Sequence, residues 1–93
     1  MVDIANSSNL NSYTNPGVYC TNSASKTGTL TNRPFSGSAM VLRVFNPYDW
    51  KNGVKNCVQI AVSLSSPPNI YIRSCNGSTW SDWRIISTEA VTA

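Results

Sequence analysis

Three apolar segments of period two, divided by turn chemistry, constrain this chain more than any other feature. Residues 38–46 (SAMVLRVFN) set Met40, Leu42 and Val44 on one face and Val41, Arg43 and Phe45 on the other. Both faces are mostly apolar, which predicts a central strand covered on each side. Residues 58–64 (VQIAVSL) alternate cleanly, with Val58, Ile60, Val62 and Leu64 sharing one face and Gln59, Ala61 and Ser63 the other. Residues 70–73 (IYIR) follow after Ser65-Ser66-Pro67-Pro68-Asn69. No stretch of ten or more residues carries a helical period. The fold expected is therefore all-β, a small antiparallel sheet or sandwich of five to seven short strands with little helix.

Turn signals fix where the strands end. Pro16-Gly17 follows Tyr13-Thr14-Asn15 and leads into a short strand, Gly17 to Cys20. Residues 21–32 are rich in Ser, Thr and Asn and read as a loop with a brief edge strand around residues 27–30. Arg33-Pro34 marks a break, because the residue before proline is pushed into extended geometry. Residues 46–53 (NPYDWKNG) form a long turn region closed by a two-residue reversal at Asn52-Gly53. A hairpin pairing Leu64 with Ile70 sets Ser63 opposite Tyr71 and Val62 opposite Ile72, which keeps every branched residue on one face. The same register sets Gln59 opposite Cys75, with Cys57 diagonal to it. Asn76-Gly77-Ser78 turns the chain into residues 79–87, where Trp80 and Trp83 stand three apart. Positions three apart on a strand face opposite ways, so a bulge or bend is expected near Ser81-Asp82.

Composition narrows the chemistry. The chain has 93 residues, of which 12% are charged, against about a quarter in ordinary globular chains. Ser, Thr and Asn fill the gap at 14, 8 and 11 positions. A domain this size buries only about 60% of its unfolded surface and gains from oligomer contacts. There is no His, which removes the usual general base and the commonest zinc ligand. Asp3, Asp49, Asp82 and Glu89 are the only carboxylates, too few and too scattered for most acid–base or metal sites. No catalytic residue, metal or cofactor is expected, and an enzyme reading would have to rest on Asp49 and Asp82. The net charge of +3 is spread along the chain, whereas nucleic-acid binders cluster their cations to neutralise neighbouring phosphates. No apolar run approaches the roughly 20 residues that span a bilayer, and MVDIANSS has neither the basic start nor the apolar stretch of a signal peptide. Neither nucleic acid nor membrane insertion is expected, and synthesis without a signal peptide is.

Cys20, Cys57 and Cys75 are odd in number and contain no C-x-x-C spacing, which excludes a zinc ribbon or a thioredoxin-type motif. Buried or half-buried free thiols are expected. A Cys57–Cys75 disulfide is geometrically conceivable if a bulge draws the pair together.

The order of segments resembles the pyocin-knob domains of phage tail fibres and phage-tail-like bacteriocins. The resemblance is carried by Asn9-Leu10-Asn11, Pro16-Gly17-Val18-Tyr19 and Asn32-Arg33-Pro34. It continues through Met40 to Val44, Gln59-Ile60-Ala61 and Ile70-Tyr71-Ile72-Arg73, and it ends on Gly77-Ser78-Thr79-Trp80-Ser81-Asp82-Trp83-Arg84. It covers about residues 9–88, which makes residues 1–8 a lead-in and 89–93 an exit linker. Residues 46–56 depart from it, being longer and more aromatic, and so do the cysteines. The resemblance implies a non-catalytic domain of a virion tail fibre or tail-like particle, packed with sister subunits of a homotrimeric fibre. It implies attachment to a bacterial surface, with surface polysaccharide as partner. The alternative is a trimerisation or spacer domain with no ligand of its own.

Several residues stand out against that background. Tyr48 and Trp50, beside Asp49 and Asn52 in the departing loop, suit carbohydrate or protein recognition; they could also fold back on the sheet or enter a subunit interface. Trp80 and Trp83 offer aromatic faces to pyranose rings, but their place in the shared pattern favours a structural role. Arg73 and Arg84 can stack on those rings or cover apolar surface with their stems. Gln59 is read as a structural hydrogen-bonder to a neighbouring loop.

Overall fold

The computed structural model of the protein describes residues 1–48 and 54–92. Among them are seven strands: β1 (Val2–Asp3), β2 (Gly17–Cys20), β3 (Met40–Phe45), β4 (Cys57–Ser63), β5 (Ile70–Asn76), β6 (Thr79–Trp80) and β7 (Arg84–Ile86). One helical turn, α1 (Ala24–Thr27), and a 3-10 turn at Leu10–Ser12 complete the elements. The strands form one sheet in chain order from β1 to β6, and β7 also pairs with β5. Only β1 and β2 run parallel; every other pair is antiparallel. The all-β expectation thus resolves into a single mixed sheet.

Each strand follows from its sequence. The β-branched and aromatic residues of β3, β4 and β5 suit a pleated surface, and these three long strands form the centre. Gly77 turns β5 into β6 at φ +69°, a conformation that L side chains rarely adopt. Thr79 and Trp80 then pair with Asn76 and Cys75. Ser81 N still donates to Ser74 O at 2.8 Å; the strand then breaks, and pairing resumes when β7 sets Arg84, Ile85 and Ile86 against Ile72, Tyr71 and Ile70. That interruption is the bend that the Trp spacing predicts.

The two faces of the sheet have different fates. On one, Met40, Leu42 and Val44 lie beside Gln59, Ala61 and Ser63 of β4 and Arg73 and Cys75 of β5, all buried. This face is covered by Ile4, Leu10 and Leu30, each essentially removed from solvent. Burying an aliphatic side chain contributes about 1.5–3 kcal/mol, so these three anchors hold otherwise polar segments onto the sheet. A chain of hydroxyls helps. Thr21 Oγ1 accepts from Met40 N at 2.9 Å and bonds Thr27 Oγ1 at 2.6 Å, and Thr27 Oγ1 donates to Ser23 O. Ser23 caps α1 by accepting from Lys26 N. Residues 27–30, expected as an edge strand, therefore continue out of a helical turn whose capped start wins over weak strand propensity.

The opposite face carries Val18, Val41, Phe45, Val58, Ile60, Val62, Ile70, Ile72 and Ile86, with Arg43 standing among them between Val18 and Ile60, and Arg84 at the edge beside Ile72. None of these residues is fully buried, and no described element packs over them. This corrects the expectation that β3 is covered on both sides. The alternation in β4 identified its more apolar face correctly, but that face is the bare one.

The β4–β5 hairpin is also shifted by two residues from the expected register. Val62 pairs with Ile70, Ile60 with Ile72, Gln59 with Arg73 and Cys57 with Cys75. The connection is longer than expected: Ser63 N donates to Asn69 O, and Ser63 Oγ accepts from Asn69 N at 2.9 Å. Cys57 and Cys75 consequently stand directly opposite one another without a bulge. Both are buried free thiols, and Cys20 is a half-buried one.

Candidate functional site

The residues singled out by the sequence do not form one site. Trp80, Trp83 and Arg73 come together on the covered side of the sheet. Arg73 Cζ lies 3.9 Å from the Trp80 ring centroid and 4.6 Å from that of Trp83. Arg73 is only 5% exposed, and its Nε donates to Gln59 Oε1 at 2.8 Å. Gln59, wholly buried, donates through Nε2 to Leu10 O at 2.8 Å and to Tyr13 O at 2.9 Å. Trp83 Nε1 donates to Asn32 O at 2.8 Å. These bonds tie β4, β5, the 3-10 turn and the loop at Asn32 into one clasp. Of the two readings of Arg73, the stacked one is observed, and the structural bonding expected of Gln59 is present.

Among the described residues, no carboxylate sits in this clasp. Burial pushes the Arg73 guanidinium down to about 10, and its Nη2 is buried without a hydrogen-bond partner among the described residues. Two π faces and the Gln59 carbonyl oxygen thus stand in for an anion. Burial also pushes the nearby Cys57 thiol up to about 11, so at neutral pH it is protonated and unreactive. Arg84 lies apart from this group, exposed on the bare face opposite Ile72.

The second group lies at the far end of β3. Asn46, buried at the strand's end, donates to Thr14 O at 2.9 Å and accepts from Tyr48 N at 2.8 Å. It fixes where the departing loop leaves the sheet. Tyr48 is 42% exposed, while Asp49, Trp50, Asn52 and the Asn52-Gly53 reversal lie outside the described residues. Beside this loop is an open groove of about 420 Å³, lined by Pro16, Val18, Arg43, Phe45 and Pro47 among others. Arg43 Cζ sits 5.2 Å from the Phe45 ring centroid.

A smaller cleft of about 190 Å³ opens at the other end of β3. Its aromatic wall is formed by Phe35 and Tyr71, with ring centroids 5.2 Å apart and planes inclined by 31°. Sequence reasoning passed over this pair because the two residues are distant in the chain and Phe35 follows a proline break. The β-strand position of Tyr71 on the covered face was the available signal. Among the described residues, no three His, Cys, Asp or Glu side chains gather as a metal site would need. No helix among them is long and apolar enough to cross a membrane.

No protein-family model matches the chain, and no curated protein sequence matches it. A solved structure does: the fibre of R1 pyocin from P. aeruginosa, comprising its C-terminal residues 323–701. The TM-score is 0.75 at 25% sequence identity, over 94% of this chain and 21% of that one. The chain spans about a fifth of that fibre fragment, and its fold is pyocin-fibre-like.

Proposed function

We propose that the chain is a non-catalytic knob-type domain of a tail fibre, belonging to a phage tail or a related tail-like particle. It packs against two sister subunits and supports attachment to a bacterial surface by contact with surface polysaccharide. The observation that carries this reading is the bare apolar face. Soluble monomers rarely leave a contiguous apolar surface of this kind unless it is an interaction site, and the sheet presents branched side chains from β2 through β7. A fibre built of parallel copies provides an occupant for it in every subunit. The fold likeness to a pyocin fibre supports the same context. The glycan-contact element is the departing loop, whose sequence carries Tyr48, Asp49, Trp50 and Asn52; its aromatic and amide groups suit sugar rings and hydroxyls.

Light scattering on the chain tests the assembly. The expected mass is three times that of one chain, falling to that of a single folded chain in an Ile60→Glu, Ile72→Glu variant. A wild-type chain that stays monomeric at high micromolar concentration overturns the trimer. Binding to an array of host surface polysaccharides tests the contact. Unchanged binding by a Tyr48→Ala, Trp50→Ala variant removes the loop from the reading, and a trimer without any glycan affinity leaves only the spacer function.

A further inference from the structure

The Phe35–Tyr71 cleft has a chemistry that neither the clasp nor the loop accounts for. Its lining carries no ionisable acid or base of ordinary charge: beside the two aromatic rings stand Ser36, Ser38, Ser63, Ser65 and Asn69. A salt-like ligand would find no counter-charge there. The volume is below the roughly 300 Å³ at which drug-sized pockets begin, so the cleft admits a unit about the size of one ring. Both aromatics are half-buried and packed against the core on one side, which holds them in place before any ligand arrives.

The polar groups divide into those already used and those left over. Ser63 Oγ bonds Ser65 Oγ at 2.7 Å and accepts from Asn69 N, and Ser65 Oγ donates to Pro67 O at 2.9 Å. These bonds stiffen one wall. The hydroxyls of Ser36, Ser38 and Tyr71 and the carboxamide of Asn69 have no such engagement among the described residues. Gly37, at φ +94°, bends the rim between the two serines, and a Cβ there would meet nothing within 4 Å. A rigid aromatic wall with uncommitted hydroxyls and an amide around it matches a molecule that has an apolar C–H face and a hydroxylated edge.

We propose that this cleft binds an uncharged hexopyranose unit of a surface glycan. The proposal rests on the glycan-contact reading and adds a second contact to it. Ser63 and Tyr71 point to the covered face of the sheet, opposite Ile60 and Ile72, so assembly through the bare face leaves the cleft open. The six residues of β3 separate the cleft from the departing loop, a span of roughly 20 Å at about 3.3 Å per residue.

The test is an amide-resolved NMR titration of the whole chain. The probes are methyl glycosides of glucose, galactose, mannose, rhamnose and N-acetylglucosamine, with dextran as a polymeric arm and glucuronate as a charged control. At least one uncharged glycoside is expected to shift the amides of Gly37, Ser38, Asn69 and Tyr71 with millimolar affinity, and glucuronate is expected not to. A Ser38→Ala, Asn69→Ala variant and, separately, Tyr71→Phe should weaken that binding tenfold or more while the remaining spectrum stays in place. Stronger binding by dextran than by its monosaccharide assigns the site to a polymer; equal binding assigns it to free sugar. If saccharides shift only the departing loop and the cleft variants bind normally, the cleft assignment fails and glycan contact stands. If none of the probes shifts any resonance, the cleft proposal fails; if host polysaccharide also leaves every resonance unmoved, glycan contact fails with it.

Discussion

At the scale of single residues, the clasp around Arg73 is the most demanding arrangement in the molecule. A buried guanidinium, with no carboxylate beside it among the described residues, is held by two indole faces and one amide oxygen. Replacing Gln59 by Glu supplies the missing anion, yet it should destabilise the fold. The carboxylate cannot donate to Leu10 O and Tyr13 O, and it brings negative charge against both carbonyl oxygens. Tyr13 O loses its donor, while Leu10 O keeps only the bond from Tyr13 N at 3.2 Å; an unpaired buried acceptor costs about 1–3 kcal/mol and the repulsion adds to it, so a loss of roughly 3 kcal/mol is expected in urea denaturation. Stability equal to or above that of the parent would mean that the new ion pair outweighs two lost hydrogen bonds.

Cys57 gives a second residue-level prediction, this one in pH. Its folded-state value, about 11, lies above its ordinary 9.0, so the folded chain holds the proton more tightly than the unfolded one. The resulting stabilisation is complete below pH 9 and is lost as pH rises from about 9 to about 11. Thermal melts across that window should show a steeper decline for the parent than for a Cys57→Ala variant. Equal slopes would show that the thiol is not the group responsible.

At the scale of elements, two glycines should respond oppositely to the same change. Gly77 has φ +69° and open space where a Cβ would stand, so Gly77→Ala costs only conformational strain, roughly 1 kcal/mol. Gly28 closes α1 with φ −63° and ψ −16°, and the nearest atoms to a Cβ there are 3.5 Å away. Gly28→Ala should stabilise by about 0.4–1 kcal/mol through the unfolded chain. Paired denaturation curves check both signs. The same elements show what a sequence can and cannot specify. The central strands and the bend between Trp80 and Trp83 were legible, because period two and turn residues are local signals. The β4–β5 register was not: a shift of two residues preserves which face each side chain occupies, so the apolar pattern fits both pairings equally. The covering layer was missed as well, since Ile4, Leu10 and Leu30 are single apolar residues in polar stretches and carry no period. Of the candidate contact residues, the spacing of Trp80 and Trp83 foretold their bend, but the inward turn of Arg73 depends on Gln59, fourteen positions away.

At the scale of the whole molecule, alternation along β4 marks Val58, Ile60 and Val62 as the apolar face, and in an isolated domain that face belongs inside. Here the buried side is the one with Gln59, Ala61 and Ser63, made dry by side chains from elsewhere in the chain. The inversion makes sense if both faces are interior in the assembled protein, one closed by this chain and the other by its copies. Folding and association are then linked, and stability depends on concentration. For three chains that unfold as they separate, a tenfold rise in concentration adds about 0.9 kcal/mol per chain, two-thirds of the 1.4 kcal/mol that a factor of ten represents. At about 4–8 °C per kcal/mol for a domain of this size, the melting temperature should climb by roughly 4–7 °C per decade of concentration. The Ile60→Glu, Ile72→Glu variant should melt lower and at one temperature throughout, because its bare face no longer gains from a neighbour. A parent chain whose melting point is flat over two decades, at concentrations where light scattering finds trimers, would show that the subunits separate before they unfold and that the bare face contributes little to holding the fold together.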